Sequence, residues 1–259
     1  MEYYELKPED NTFKTLSVQT TYKCQMKCSN CYLGHMLNNE YYKDVNLNKL
    51  KQFLERLPKR CDIRFIGAEP TMNPQLFDLI KVARQTGHRP SLLTNGLKLR
   101  REDYVIQLKQ AGLKLLGISM NGGLDDKMYQ LFDNGKYAKS KTIALENCFK
   151  YKILPHINVI LAPSNIHIIK PLADFIIKSA LKHKRHINPI TYPVMLRIKS
   201  IGKIGNYMDT KTFTLKELKE IVNNELKINI TPDYRVDGFD EKRSLTFGWH
   251  TEAGEMLGK

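Results

Sequence analysis

The stretch TTYKCQMKCSNCYLGHM, residues 20–36, holds three of the chain's five cysteines within eight positions. Cys24, Cys28 and Cys31 follow a short β-like run, Thr15–Gln19, and Lys23 and Lys27 each precede one of the cysteines. A disulfide, a zinc site or an iron–sulfur site would each explain such a group. The odd number of cysteines argues against a disulfide framework, and thiols that stay reduced in a cytoplasmic protein favour metal or redox chemistry.

The composition of the 259-residue chain is typical of a protein with a sizeable hydrophobic core. Apolar residues make up 42% of it, enough for one large domain or two small ones. The first ten residues, MEYYELKPED, lack the basic start and apolar core of a signal peptide. No apolar run approaches the roughly 20 residues that a membrane-spanning helix needs. We therefore expect a cytoplasmic protein with no membrane partner.

The net charge of the chain predicts that it attracts anions, but it does not identify which anion binds. The formal net charge is +14 at pH 7. Such a surface attracts nucleotides, nucleic acid or acidic peptides without choosing among them. A solvated, lysine-rich surface is the plain alternative.

Short apolar runs alternate with amphipathic stretches, which predicts a parallel sheet covered by helices. Six runs are typical of strands: Thr15–Gln19, Ile63–Ile66, Pro90–Leu93, Leu115–Ser119, Ile157–Leu161 and Pro193–Ile198. The predicted helices cover Leu47–Leu57, Phe77–Ala83, Tyr104–Leu108, Thr142–Phe149 and Ile168–Leu181. These α/β units either close into a partial barrel or lie open as a doubly wound sheet.

The last part of the chain has a different pattern. A helical stretch, Leu215–Leu226, precedes a polar tail with several glycines. No Gly/Ser linker separates this part, so we expect it to pack on the rest. We predict a core over residues 1–205 and a small C-terminal appendage, a helix with short strands, over residues 206–259.

The loops after the predicted strands carry small and polar residues. Strand one leads into the cysteine loop, and the next three lead into GAEP (67–70), TNG (94–96) and SMNGG (119–123). In a βα barrel, these loops meet at one rim, where chemistry is built. Each piece alone is typical of a turn. Their joint occurrence after successive strands predicts a functional site.

Together these motifs resemble the radical S-adenosylmethionine (SAM) superfamily. Cys24-x3-Cys28-x2-Cys31 is similar to the family's cluster motif, and GAEP, TNG and ISMNG resemble its cofactor-binding motifs. The resemblance implies a partial (β/α)6 TIM-like barrel that binds one [4Fe–4S] cluster and SAM. It also implies a low-potential electron donor of the flavodoxin or ferredoxin type.

The chemistry of the cysteine loop agrees with that resemblance. Three thiolates hold three corners of a four-iron cluster and leave the fourth iron open to a methionine moiety. The resemblance makes Cys24, Cys28 and Cys31 the cluster ligands, and a carboxylate at Glu69 suits the methionine ammonium. The implied cofactor contacts are Asn30, Tyr32, Gly67, Ala68, Glu69, Thr94, Asn95, Ser119, Asn121, Asn158 and Arg197, with Asn165 as a further candidate. Asn30 departs from the family, which often has an aromatic residue before the third cysteine.

A zinc site is the alternative for the cysteine loop. His35 lies four residues after Cys31, so three cysteines and one histidine are available for a tetrahedral ion. The chain would then be a zinc-stabilised nucleic-acid-binding protein. Zinc would leave the GAEP, TNG and SMNGG loops unexplained, and we favour the cluster.

The two other cysteines are expected to be inert. Cys61 precedes the second predicted strand, and Cys148 falls in a helical pattern beside apolar neighbours. We expect both to behave as free cysteine usually does, as a small buried hydrophobe. Because no cysteine follows Cys148, we predict a single-cluster enzyme without a cysteine-rich auxiliary-cluster domain.

The motifs do not identify the substrate. A basic band near the sixth strand, either a solvated helix end or an anion-binding rim, contains Lys178, Lys182, Lys184, Arg185, Arg197, Lys199 and Lys203. We expect a radical SAM enzyme that abstracts hydrogen from an anionic, nucleotide-like small molecule. A peptide is the second expectation, and nucleic acid is possible but not favoured.

Overall fold

The computed structural model describes residue 9 and residues 14–29, 31–183, 194–200, 212–226, 244–249 and 256–257. Several positions singled out above lie outside these ranges, namely Asn30, Lys184, Arg185 and Lys203.

The sheet has eight strands in the order of the chain. They are β1 Thr15–Gln19, β2 Asp62–Ile66, β3 Arg89–Thr94, β4 Leu115–Ser119, β5 Leu154–Leu161, β6 Val194–Ser200, β7 Ser244–Trp249 and β8 Met256–Leu257. Strands β1 to β6 pair in parallel, whereas β7 and β8 pair antiparallel. The predicted α/β fold with six parallel strands in a partial barrel is thereby confirmed.

In the described part of the chain, seven α-helices connect and flank the strands. They are α1 Leu47–Glu55, α2 Leu76–Gln85, α3 Glu102–Gln110, α4 Asp126–Asp133, α5 Ala138–Lys150, α6 Ile169–Lys182 and α7 Leu215–Leu226. The sequence predicted all of them except α4. Within the described ranges, no helix has both the length and the apolar composition that crossing a bilayer requires.

The two faces of the parallel sheet differ in burial. Along β2 and β5, side chains that face the helices, such as Phe65 and Ile157, are fully buried. Their neighbours Arg64 and Asn158 point to the other face and are half-buried. Because side chains alternate along a strand, this second face lines the interior of the partial barrel with polar groups.

The described parts of the C-terminal segment contact the barrel. Strand β7 pairs antiparallel with β6 and so extends the sheet beyond its parallel part. On α7, Leu218 and Val222 are buried in the main hydrophobic core. The boundary predicted between residues 205 and 206 falls outside the described ranges and stays a prediction.

Candidate cofactor site

The three clustered cysteines lie in the loop after β1 and are all half-buried. Burial raises the pKa of the Cys24 thiol to about 11, and the charges of Glu69 and Cys31 add to the rise. Burial raises the pKa of Cys28 further, and the negative charge of Asp133 adds to it. The charges of Cys24 and Cys31 also affect Cys28, so the thiols form one group. Metal binding would displace their protons, since thiolate is the ligand.

The cysteine loop supplies three thiols as candidate metal ligands. Tetrahedral zinc needs all its ligand atoms within about 2.0–2.3 Å of the ion. A four-iron cluster instead places a different iron at each thiolate. His35 is exposed, and a donor set of three thiols fits the cluster.

Asn38, which sequence reasoning missed, fixes the backbone of the first cysteine. Its Oδ1 accepts a hydrogen bond from the Cys24 amide at 2.8 Å, and its Nδ2 donates to the Cys24 carbonyl at 3.1 Å. Its own amide donates to the Tyr22 carbonyl at 2.8 Å. Asn38 adopts a left-handed conformation, with φ of 57°, which asparagine tolerates better than most residues. The only sequence signal is a pair of asparagines in a loop.

Replacing Asn38 with alanine is expected to speed the loss of a reconstituted cluster to a chelator. Two hydrogen bonds to Cys24 disappear, at about 0.5–1.5 kcal/mol each, and alanine is strained at positive φ. Asn38→Gly is the matched variant, because it removes the same hydrogen bonds without the strain. The rate of cluster loss, measured for both variants and wild type, tests whether the Asn38 hydrogen bonds stabilise the cluster. Wild-type rates in both would contradict it.

The other side of the cysteine loop is anchored on α4. The amide of Ser29 donates to the Phe132 carbonyl at 2.9 Å, and its hydroxyl donates to the Leu131 carbonyl at 3.0 Å. Both carbonyls lie in the last turn of α4, where helical carbonyls lack partners within the helix. The helix that the sequence did not predict therefore carries the loop that holds the cysteines.

The GAEP loop runs directly beside the chain that leads from β1 to the cysteines. Ala68 and Glu69 donate their amides to the carbonyls of Thr21 and Lys23, at 3.0 and 3.1 Å. Gly67 has φ of 155°, and a Cβ placed there would lie 2.6 Å from the Thr21 carbonyl oxygen. This close approach requires glycine. Because the amides of Ala68 and Glu69 are occupied, a ligand at this loop would meet carbonyl acceptors and not amide donors.

The Glu69 carboxylate ties the GAEP loop to the TNG loop. The residue is 1% exposed. Its Oε1 accepts from the Thr71 amide at 3.1 Å, from the Thr71 hydroxyl at 2.7 Å and from the Thr94 hydroxyl at 2.6 Å. Its Oε2 accepts from the Asn95 amide at 2.7 Å. Among these contacts Oε1 accepts three hydrogen bonds and Oε2 one, so Oε2 is the oxygen with capacity for a further donor.

Asn95 and Tyr32 complete the contacts between the loops. The Asn95 side chain accepts from the Leu97 amide at 3.0 Å and from Gln25 Nε2 at 3.3 Å. Its Nδ2 lies 3.8 Å from Cys24 Sγ, where it donates a weak hydrogen bond. The Tyr32 hydroxyl donates to the Gly67 carbonyl at 3.4 Å. The cysteine, GAEP and TNG loops thus form one hydrogen-bonded rim.

Three of the remaining predicted residues form a row inside the barrel. Ser119, Asn158 and Arg197 are aligned across β4, β5 and β6, and each is half-buried. Because neighbouring strands lie about 4.7–4.9 Å apart, the row is about 10 Å long. It runs along the interior near the rim.

Two predicted amides are instead used within the fold. Asn121 donates to Asp133 Oδ1 at 3.1 Å and accepts from the Ile160 amide at 3.1 Å. Asn165 is fully buried, where it accepts from the Ala162 amide and donates to the Asn121 carbonyl, both at 2.9 Å. Direct cofactor contact by these two side chains stays a prediction that the described contacts do not support.

Cys61 and Cys148 lie away from the rim, and both are 0% exposed. Burial raises the pKa of Cys148 to about 12. The Cys61 amide donates to His88 Nδ1 at 3.2 Å, just before β2 and at the opposite end of that strand from the GAEP loop. These two thiols serve as natural controls.

Comparison with known proteins places the chain in a family. The Radical SAM superfamily profile matches residues 18–176, more than half of the chain. A 7,8-dihydro-6-hydroxymethylpterin dimethyltransferase of Methanocaldococcus jannaschii is 30% identical over 139 residues, 52% of this chain and 27% of that protein. A GTP 3′,8-cyclase of Clostridium perfringens is 27% identical over 222 residues, 82% of this chain and 63% of that protein. The chain thus spans less than two thirds of the length of either relative.

Solved structures agree on the fold. Streptococcus suis SuiB bound to SAM has a TM-score of 0.63 at 16% identity, over 83% of this chain and 47% of that chain. SuiB has also been solved bound to the precursor peptide SuiA. At this identity, the likeness shows the fold alone.

Proposed function

This chain belongs to the radical SAM superfamily, and we propose that it cleaves SAM reductively and abstracts hydrogen from an anionic, nucleotide-like small molecule. The family's cofactors are a [4Fe–4S] cluster and SAM. When bound, they supply the difficult chemistry: one electron breaks a sulfonium C–S bond and yields a 5′-deoxyadenosyl radical. We propose a flavodoxin- or ferredoxin-type protein as the electron donor.

The observation that carries the proposal is the rim itself. Cys24 contacts Asn95, and Asn95 contacts Glu69, so the residues proposed to hold cluster and cofactor meet in one network. Cys24, Cys28 and Cys31 would hold the cluster. The Oε2 of Glu69 and the carbonyl of Gly67 would accept from the methionine ammonium, since a charged donor strengthens such bonds.

The interior row supports an anionic ligand. Arg197 lies beside Asn158 on the next strand and is half-buried, where a guanidinium binds carboxylate or phosphate in bidentate fashion. The described side chains of the wider basic band are divided between the barrel interior and the helical layer. Lys178 and Lys182 lie in the helical layer on α6, and Lys182 pairs with Glu146 at 3.1 Å. The proposal of an anionic substrate therefore rests on Arg197.

The relatives include proteins with two different classes of substrate. The GTP 3′,8-cyclase acts on a nucleotide by its name, whereas SuiB binds a precursor peptide. Both align with similar shares of this chain, so the extent of alignment does not decide between them. Arg197 suits a phosphate better than a neutral peptide bond. A nucleotide-like substrate is therefore our first proposal, and a peptide is the second.

Replacing Arg197 with alanine is expected to weaken the stimulation of SAM cleavage by nucleoside triphosphates about 10- to 100-fold, the loss of one charged hydrogen bond. Stimulation in wild type should fall as salt rises from 50 to 200 mM, since ions screen charges. The readout is 5′-deoxyadenosine formed by dithionite-reduced protein with GTP, ATP or a peptide.

Lys182→Ala is the matched control, because it removes one cation from the outer helix α6. It should leave nucleotide stimulation unchanged. Stimulation by a neutral peptide that depends neither on salt nor on Arg197 would overturn the nucleotide proposal and leave SAM cleavage intact.

A further inference from the structure

A fully buried ion pair lies between the cysteine loop and the segment after β4. Lys141 on α5 and Asp133 at the end of α4 have side chains 0% and 1% exposed, and Lys141 Nζ lies 3.2 Å from Asp133 Oδ2. The ammonium also donates to the Ser119 carbonyl at 2.8 Å and lies 5.0 Å from the centre of the Tyr129 ring. Burying two charges is costly unless both are well bonded, so this pair needs an explanation beyond filling the core.

The pair connects two parts of the proposed site. On one side, Asp133 Oδ1 accepts from Asn121 Nδ2 at 3.1 Å, and Lys141 binds the Ser119 carbonyl. Both contacts fix the segment of residues 119–121. On the other side, the Phe132 carbonyl, next to Asp133 in the chain, accepts from the Ser29 amide, which follows Cys28. The cysteine loop and the segment after β4 are thus joined through one carboxylate and one ammonium.

The pair also lies close to the cysteine loop. Asp133 follows Phe132, whose carbonyl accepts from the Ser29 amide at 2.9 Å, and Ser29 follows Cys28. The two charges are opposite and only 3.2 Å apart, so the fields of the intact pair largely cancel at a distance. Removing one charge leaves the other uncompensated in a medium of low dielectric, where its field is strong.

We propose that the Lys141–Asp133 pair is a positioning unit that holds residues 119–121 against the cysteine loop and keeps the surroundings of Cys28 electrically neutral. Cluster potentials respond to net charge and burial, so the pair would set the reduction potential while it orders the cofactor segment. The inference rests on the cluster and SAM of the family and not on the choice of substrate.

The charge half of the proposal is tested with Asp133→Asn, which leaves the Lys141 ammonium without its counter-ion. The reduction potential of the reconstituted cluster, followed by EPR during a redox titration, should rise. The double variant Asp133→Asn/Lys141→Met removes both charges and should return the potential to that of wild type. A purely structural role would not cause a shift that the second substitution cancels.

Asp174→Asn is the control, because Asp174 forms an exposed pair with Lys170 on α6. It changes the net charge equally and should leave the potential unchanged. An equal shift in Asp174→Asn, no shift in Asp133→Asn, or a double variant that stays shifted would each overturn the charge half.

The positioning half is tested by SAM affinity, measured by equilibrium binding. Lys141→Met should weaken SAM binding about tenfold or more and retain the cluster, because the Ser119 carbonyl loses its donor. Lys141→Arg keeps the charge with different donor geometry, so it should keep the potential and still weaken SAM binding. If Asp133→Asn does not fold, Lys141→Arg decides: a shifted potential or unchanged SAM affinity overturns the proposal. Iron content and SAM cleavage by wild type test the proposed function separately.

Discussion

Alanine at Cys24, Cys28 or Cys31 is expected to abolish the cluster and, with it, reductive cleavage of SAM. In the proposed site each thiolate would hold one iron, and the loop offers no spare cysteine, since Cys61 and Cys148 are fully buried elsewhere. A cluster with two protein ligands would not be retained through purification. Iron and sulfide content, with the brown thiolate-to-iron absorption of anaerobically reconstituted protein, gives the measurement.

Cys61→Ala and Cys148→Ala are the controls for this result. Both positions are far from the rim, so both variants should keep the cluster even where the loss of a buried sulfur lowers stability. Stoichiometric zinc without iron in anaerobically purified wild type would contradict the assignment. So would a full iron complement in any of the three loop variants.

The second large effect is expected at Glu69. Glu69→Ala removes the acceptor of four hydrogen bonds from Thr71, Thr94 and Asn95. Leaving buried donors unpaired costs about 1–3 kcal/mol for each group that water cannot reach, so the free energy of unfolding should fall clearly. SAM affinity should fall about 10- to 100-fold, because a charged partner of the ammonium is lost. Chemical denaturation and equilibrium SAM binding measure the two effects.

Glu69→Gln separates the structural contribution from the charge. Its carbonyl oxygen can still accept from Thr71 and Thr94, so most of the stability should remain. Its amide group is neutral and cannot accept from Asn95, so SAM binding should stay weak. Wild-type SAM affinity in both variants would show that the ammonium binds elsewhere.

The strands were predictable because buried β-strands leave continuous apolar runs in the sequence. All six predicted strands are confirmed, and their loops come together because parallel strands bring their carboxyl ends to one edge. Helix α4 was missed since DKMYQLFD follows a pair of glycines and is short. Its start depends on the side chain of Asp125, which accepts from the Lys127 amide, and such a cap is a weak signal in one sequence.

Two parts of the site could not be predicted, because they depend on distant contacts. Asn38 clamps Cys24 across fourteen positions of the chain, and this pairing exists only once the loop has folded. Lys141 and Asp133 are buried, although charged residues are mostly exposed. Their burial follows from how α4 and α5 pack together, which local patterns do not encode.

The protein contacts of the cysteine loop have a consequence for how the enzyme is matured and repaired. Asn38 and Ser29 hold the loop through hydrogen bonds to main-chain atoms and not to the cysteine sulfurs. In a zinc finger, by contrast, the free energy of metal binding is the free energy of folding. We therefore expect an oxidised or lost cluster to leave a folded scaffold behind. The assembly machinery that delivers iron and sulfide could then insert a new cluster. Damage by oxygen would not require the polypeptide to be degraded and synthesised again.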